Sequence, residues 1–199
     1  MKTILCYGDS NTYGYNPVNG LRYPLNVRWT GRLQEMLGTE YRVIEEGCNG
    51  RTTVFDDPIE GWKNGLDYLK PCLNSHKPIA IVILMLGSND LLEGRSAEET
   101  AGRMEKFLRA ILETGIPILL IAPPIMKPGA WVQGEAQIQE SIKLGRLYRD
   151  VANELGTDFA DAAEWDVEVA FDGVHFTEKG HKAFAQGLMK HLEENDHEQ

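Results

Sequence analysis

The sequence is short of cysteine, of long apolar runs and of positive charge. Its 199 residues include three cysteines, Cys6, Cys48 and Cys72, whose odd number and irregular spacing argue against a disulfide framework or a CxxC zinc site. The longest apolar run, Ile79–Leu86, is far too short to span a bilayer. The N-terminal apolar run meets a Gly-Asp pair before it reaches the length of a signal peptide. We therefore expect a cytoplasmic protein with free thiols.

Basic residues are outnumbered, with 20 Lys and Arg against 30 Asp and Glu and a net charge of −10. This balance argues against a nucleic-acid backbone or an anionic membrane as the partner. No internal repeat and no Pro/Gly/Ser-rich linker divides the chain, which is long enough to bury a core without disulfides. We expect one domain over residues 1–199, with the acidic tail from about residue 193 loose. The sequence leaves open whether the protein forms a homo-oligomer.

Short apolar runs alternate with longer amphipathic segments. The predicted strands are Thr3–Tyr7, Tyr41–Ile44, Ile79–Leu86, Ile116–Ala122 and, more weakly, Thr157–Ala160. Four helices are predicted: Asn26–Leu37, a helix that begins at a Ser96 capping box, Glu135–Leu155 and Glu178–Leu192. The first has Trp29, Leu33, Met36 and Leu37 on one face, and the second buries residues up to Leu112. Apolar strands separated by helices predict a parallel sheet covered on both faces, a three-layer α/β/α sandwich.

Polar turns follow these strands at the edge of the sheet where such folds place their sites. The turns are Gly8–Thr12, Gly47–Arg51, Gly87–Asp90 and, late in the chain, Asp172–His175. Because the carboxyl ends of parallel strands meet at one edge, we expect these turns to converge.

The residue types in these turns suit nucleophilic acyl transfer, which needs a hydroxyl, a base and a group that orients the base. Ser10 supplies the hydroxyl, His175 is a base, and Asp172 lies close enough in sequence to reach the imidazole Nδ1. Taken singly, Ser10 is equally suited to capping a helix, and Asp172 and His175 to a surface turn. Their joint occurrence favours the catalytic interpretation.

An oxyanion needs hydrogen-bond donors, and the turns offer three candidates. Gly50 allows a close backbone approach, the Asn89 side chain can donate from the end of the third strand, and the Ser10 N–H is the third donor. Gly and Asn are also common in tight turns for purely conformational reasons.

The four turns resemble the sequence blocks of the SGNH (GDSL) hydrolases, whose family letters fall on Ser10, Gly50, Asn89 and His175. Further segments resemble the bacterial arylesterase/acyltransferase branch: Val27–Gly31, Glu45–Gly47, Arg51–Thr53, Asp56–Pro58 and Asp172–Thr177. The resemblance implies a flavodoxin-like five-stranded sandwich and a cofactor-free serine esterase or acyltransferase. It also implies a Ser10 nucleophile, a His175 base oriented by Asp172, and Gly50 and Asn89 as oxyanion donors. Aryl esters, acetyl esters and acetylated sugars all remain candidate substrates.

Three aromatic residues are candidates for lining the substrate pocket. Trp131 follows the loop after the fourth strand, and Tyr13 and Phe176 flank the catalytic residues, although core or interface packing explains each of them as well. Cys48 is expected to be a small buried side chain. No cluster has metal-ligand spacing, so no metal is expected.

Two other classes of function remain as alternatives. Ser10–Gly14 also suits the phosphate-binding loop of a flavodoxin-like phosphate or FMN binder, although this leaves Asp172 and His175 without a role. The second alternative is a catalytically idle binding module on the same fold.

Overall fold

Five parallel strands form the sheet of the computed structural model, which describes residues 1–57 and 59–196. The strands are β1 (Lys2–Gly8), β2 (Tyr41–Gly47), β3 (Ile81–Met85), β4 (Ile118–Ala122) and β5 (Asp158–Asp161). Their spatial order is β2-β1-β3-β4-β5, and all pairs are parallel. This is the flavodoxin-like order, so the predicted sheet is confirmed. β2 continues past the predicted end at Ile44, and β3 and β4 begin slightly later than predicted.

Helices cover both faces of the sheet. Within the described residues they are α1 (Ser10–Tyr13), α2 (Trp29–Leu37), α3 (Gly65–His76), α4 (Ser88–Leu92), α5 (Ala97–Leu112), α6 (Glu135–Leu155) and α7 (Glu178–Asp196). Short 3₁₀ turns follow α2 and β5. No helix in this part of the chain is both long and apolar enough to cross a membrane.

The strands contribute side chains to two separate apolar cores, one on each side of the sheet. Leu5 and Tyr7 of β1 pack with side chains of α3, α5 and α6. Ile4 and Cys6 of the same strand point the other way, toward α2 and α7. This alternation follows from the period of two along a strand, and it confirms the three-layer sandwich.

An ion pair joins α2 to the edge strand β2 and explains two of the sequence blocks. Arg28 donates from Nε and Nη2 to the two carboxylate oxygens of Glu45, at 2.8 Å each, and Thr30 Oγ1 donates to Oε2 at 2.5 Å. Burial alone would raise the pKa of Glu45, but these bonds outweigh it and hold the pKa below its usual value. These residues therefore serve architecture, beside the turn that begins at Gly47.

Two helical predictions need correction at their ends and faces. The helix predicted from Asn26 begins only at Trp29. Trp29 and Leu33 are buried as expected, but Met36 is 40 % exposed and Leu112 of α5 is 37 % exposed. Both residues lie in the last turn of a helix.

The predicted loose tail is helical as far as the structure describes it. α7 continues to Asp196, because its last turns are tied to the start of β5. His191 Nε2 and Asn195 Nδ2 both contact the Asp158 carboxylate, at 3.1 Å. The remainder of the tail prediction, residues 197–199, lies outside the described residues, as does Pro58 of the Asp56–Pro58 segment.

Candidate active site

Ser10 lies where β1 ends, beside the point between β1 and β3 where the strand order reverses. The side chain of Asp9 caps α1, accepting a hydrogen bond from the Asn11 N–H at 3.0 Å. The N-cap of α1 is therefore Asp9 and not Ser10, for which the sequence alone allowed this role. The Ser10 hydroxyl is free to contact another group, and its Oγ lies 2.9 Å from His175 Nε2.

His175 connects Ser10 to a buried carboxylate. Its Nδ1 lies 2.7 Å from Asp172 Oδ2, while Asp172 Oδ1 accepts the backbone N–H groups of Val174 and His175 at 3.0 Å. Burial would raise the pKa of Asp172, but the bonds from the His175 ring and from these N–H groups outweigh it and lower the pKa. An ionised Asp172 accepts a hydrogen bond from the His175 Nδ1–H, which leaves the Nε2 lone pair directed at Ser10.

A residue that sequence reasoning missed joins the two halves of this arrangement. The Asn11 side chain donates to the Val174 carbonyl at 3.2 Å and accepts the Phe176 N–H at 2.9 Å. It thereby clamps the backbone on both sides of His175 onto the turn that carries Ser10. The available signal was its place next to Ser10, but only the fold brings residues so distant in sequence into contact.

The two predicted oxyanion donors line the same cleft as Ser10 and His175. Gly50 has a φ of +73°, which favours glycine, whereas a Cβ there would meet only the far end of the flexible Lys63 side chain, with Cε at 2.7 Å. Asn89 donates one amide hydrogen to the Arg51 carbonyl at 3.0 Å. Its second N–H is available, because an amide carries two donors.

Arg51 is a second residue whose role sequence reasoning missed. Its guanidinium donates to the Gly8 carbonyl at 3.0 Å and to the Glu46 carbonyl, and it lies 4.2 Å from the Tyr7 ring centroid. It ties the ends of β1 and β2 together, while its own carbonyl orients Asn89. These contacts of Arg51 thus hold together the turns that surround Ser10.

The cleft has a volume of about 660 Å³ and is walled by aromatic side chains. The predicted pocket residues Tyr13 and Trp131 both line it. The Trp131 ring lies 4.8 Å from the His175 ring, and Tyr15, which was not predicted, lies 4.7 Å from it. Both rings pack against the imidazole, and His175 is 2% exposed.

A comparison with family profiles decides the relationship. The GDSL-like lipase/acylhydrolase family matches residues 6–183. The chain belongs to this family. Among curated protein sequences, no significant match is found.

Solved structures of related enzymes extend the likeness of this GDSL-like acylhydrolase over almost its whole length. The aryl esterase of M. smegmatis is 34% identical with a TM-score of 0.91, covering 98% of this chain and 99% of that chain. A carbohydrate acetylesterase family member from Sinorhizobium meliloti is 34% identical with a TM-score of 0.89, covering 96% and 97%. A lipolytic G-D-S-L family member from Veillonella parvula, 17% identical with a TM-score of 0.75 and covering 96% and 97%, shares the fold.

These relationships establish the general activity. The GDSL-like acylhydrolase is a carboxylic ester hydrolase of the SGNH type. They favour ester hydrolysis over the phosphate or FMN binder and over the idle binding module.

Two of the acylhydrolase's side chains differ from their predicted positions. Phe176 is fully buried and packs on Phe184, with ring centroids 5.4 Å apart, because its N–H is turned toward Asn11. It is a core residue and does not line the cleft. Cys48, expected to be buried, is partly exposed and does line the cleft, because the turn that follows β2 opens toward solvent.

Two buried carboxyl groups of the acylhydrolase, Asp9 and Asp90, are next in sequence to Ser10 and Asn89. Burial raises the pKa of Asp9 to about 6, although the backbone N–H of Asn11 and the charges of His175 and Arg51 act in the opposite direction. Burial also raises the pKa of Asp90 to about 6 against hydrogen bonds from Thr53. Both groups bind a proton more tightly in the folded protein than in the unfolded chain.

The remaining histidines differ in their surroundings. His181 is fully buried; its Nδ1 accepts the Trp29 N–H at 3.3 Å, and burial lowers its pKa to about 3. It is therefore a neutral core residue. His76 lies near Glu46 and Cys72, a grouping that the linear spacing did not reveal because Glu46 comes from a different element.

Proposed function

We propose that Ser10 is the nucleophile of this esterase and His175 the general base. Asp172 is the group that orients the His175 ring and stabilises its protonated form. The single observation that carries the proposal is the hydrogen-bonded chain from Ser10 Oγ through His175 to Asp172, with distances of 2.9 and 2.7 Å. Distances in this range allow direct proton transfer.

The reaction divides into two acyl transfers. His175 Nε2 takes the Ser10 hydroxyl proton while Oγ forms a bond to the ester carbonyl carbon. The tetrahedral intermediate then expels the alcohol, which receives the proton from Nε2. Water repeats the sequence on the Ser10 acyl-enzyme, with His175 again the base, and releases the acid.

We propose that the Gly50 N–H, the Ser10 N–H and the Asn89 amide stabilise the oxyanion of each intermediate. Gly50 and Asn89 line the cleft that contains Ser10, on two turns joined by the bond from Asn89 to the Arg51 carbonyl, and the second Asn89 N–H is not needed by Arg51. The loss of one such donor lowers kcat by about 10²–10³ in well-studied hydrolases.

We propose short acyl esters, either aryl or acetyl esters and including acetylated sugars, as substrates. The related structures are described as an aryl esterase and a carbohydrate acetylesterase family member. Tyr15 and Trp131 crowd the imidazole, which leaves little room for a long acyl chain on that side of the cleft.

Transfer of the acyl group to an alcohol is a further proposal for the same site. The aromatic rings around His175 limit the access of water to the acyl-enzyme, which favours another alcohol as acceptor. The test is the ratio of new ester to free acid when an alcohol is added to the assay. A ratio no higher than the uncatalysed solution reaction would contradict transfer.

We also propose that residues 1–199 act as one domain in the cytoplasm, with no need for a second domain to complete the site. Three of the four proposed catalytic turns follow strands β1, β2 and β3 of one sheet, and the fourth lies between the 3₁₀ turn after β5 and α7. The three cysteines are free thiols, as expected in a reducing compartment.

The experiment that tests the proposed function is a series of aryl esters from acetyl to octanoyl, measured on the wild type and on Ser10→Ala. We expect hydrolysis to decline with chain length and the variant to lose activity by several orders of magnitude. An organophosphonate should label the wild type at Ser10. Wild-type turnover by the variant would refute the nucleophile, and a preference for octanoyl would refute the substrate class.

A further inference from the structure

Three side chains that commonly bind transition metals lie together outside the catalytic cleft. Glu46 is near the end of the edge strand β2, and Cys72 and His76 are one turn apart on α3. Spacing of i and i+4 puts two side chains on one face of a helix, and α3 turns that face toward β2. One potential ligand atom from each residue lies within 4.8 Å of the other two.

The cluster has a closed side and an open side. Cys72 is fully buried and forms its floor. The side chains of His76 and Glu46 are 24% and 19% exposed, and His76 Nε2 lies 2.6 Å from Glu46 Oε1. A metal ion seated between the three would therefore keep one coordination position toward solvent.

We propose that Glu46, Cys72 and His76 form a binding site for Zn²⁺, with water as the fourth ligand. A thiolate, an imidazole and a carboxylate are the donor types that Zn²⁺ accepts in tetrahedral sites. Ca²⁺ and Mg²⁺ prefer sets of oxygen ligands, so the sulfur and nitrogen donors select against them. Binding requires the His76–Glu46 contact to open to about 3.3 Å, the separation of two ligands in a tetrahedron with bonds of about 2.0 Å.

Binding exchanges a proton for the metal. The Cys72 S–H bond breaks, the proton goes to solvent, and the sulfur forms the bond to Zn²⁺. Burial raises the pKa of Cys72 to about 12, the Glu46 charge adds to this, and the Arg51 charge opposes it. Since the metal competes with a proton, its affinity should rise with pH.

Neighbouring groups limit the affinity and connect the site to the catalytic turns. The Arg51 charge acts on Cys72 and opposes the rise of its pKa, so the guanidinium is close enough to repel a cation bound there. The same guanidinium donates to the Glu46 carbonyl, directly before the turn that leads to Gly50. A bound ion would cross-link α3 to the end of β2 and should raise the melting temperature.

The test is a titration of the reduced, metal-free, full-length protein with Co²⁺, which reports a thiolate ligand by its charge-transfer absorption, followed by competition with Zn²⁺. We expect the wild type to develop the band and Zn²⁺ to remove it. Cys72→Ala should abolish the band, and His76→Gln should weaken binding at least about tenfold, since even changes beyond the ligands cost 10–100-fold.

Cys48→Ser is the matched control, because Cys48 is a more exposed thiol outside the cluster. This variant should keep the band. The proposal is overturned by a wild type without the band, by a band that survives Cys72→Ala, or by its loss in Cys48→Ser. Circular dichroism checks the fold of each variant, and the partly exposed His76 provides the decisive variant if Cys72→Ala does not fold. The readout is independent of esterase activity.

Discussion

At the scale of single residues, the proposed mechanism depends on which nitrogen of His175 carries the proton. In Asp172→Asn, the amide Oδ1 can still accept the two backbone N–H groups, so the loop should stay in place. The amide nitrogen then faces Nδ1 as a donor and selects the tautomer with hydrogen on Nε2, which cannot accept the Ser10 proton. We expect kcat for an aryl acetate to fall by about 10⁴.

The chain contains a matched control for this substitution. Asp158 contacts His191 at 3.1 Å, at the opposite end of the sheet from the cleft. Asp158→Asn should therefore leave kcat unchanged. Equal losses in the two variants would mean that Asp172 acts through general stability and not through His175.

Gly50 provides a second prediction at the residue scale. Gly50→Ala introduces a side chain at a φ of +73° and 2.7 Å from Lys63 Cε. The Lys63 side chain can move aside, but the positive φ strains alanine and should shift the turn, carrying its N–H away from the proposed oxyanion position. We therefore expect kcat to fall by about 10²–10³ with a smaller change in KM. Unchanged kinetics would remove Gly50 from the oxyanion site.

At the scale of elements, strands β1, β2 and β3 lead into turns of the site, and local signals decide where a helix begins. Ser96 accepts the Glu99 N–H at 3.1 Å, and the Glu99 side chain accepts the Ser96 N–H, forming the predicted capping box of α5. Ser96→Ala should lower the free energy of unfolding by about 1 kcal/mol, measured by urea denaturation.

The same helix offers a control of opposite sign. Gly102 is exposed on α5, and a Cβ there would meet no atom within 4 Å. Gly102→Ala should therefore raise the free energy of unfolding by about 0.4–1 kcal/mol. Neither substitution should change kcat, because α5 packs on the sheet away from Ser10. A stabilising Ser96→Ala would contradict the assigned cap.

At the scale of the whole molecule, buried acids next in sequence to residues of the active site make stability depend on pH. The pKa of Asp90 rises from 3.8 in its ordinary state to about 6 when folded. The folded state holds this proton up to a higher pH than the unfolded state, so the free energy of unfolding falls as pH rises from about 4 to 6. This is opposite in sign to the contribution of Asp172, whose pKa is lowered.

We predict that the free energy of unfolding depends less on pH in Asp90→Asn than in the wild type. Because the amide does not titrate, the free energy of unfolding of the variant relative to the wild type should increase by about 2–3 kcal/mol between pH 4 and 6. Its absolute stability at pH 4 is a separate matter, since the amide changes the bonds to Thr53. Asp150→Asn on the exposed face of α6 should reproduce the wild-type slope; a wild-type slope in Asp90→Asn would refute the linkage.

Much of the architecture could be read from local pattern. Continuous apolar runs separated by amphipathic helices predict a parallel sheet covered on both faces, since nothing else buries both sides of such strands. The same pattern places Ser10, Gly50 and Asn89 at one edge of the sheet, because residues that follow parallel strands share that edge. The Asp172–His175 turn follows no strand directly, since it lies between the 3₁₀ turn after β5 and α7, and only the resemblance pointed to it. The ends of helices were less certain, since coverage by neighbouring elements decides them.

The sequence by itself thus determined the fold class, because apolar runs and helical periodicity are local patterns. The family and the candidate catalytic residues followed from the resemblance of four polar turns to the SGNH blocks. Only the tertiary structure decided that Asn11 clamps the His175 loop, that Arg51 orients Asn89, and that Phe176 belongs to the core. It also brought Glu46 next to Cys72 and His76. Contacts between residues far apart in the chain arise from packing across layers, and no local periodicity encodes them.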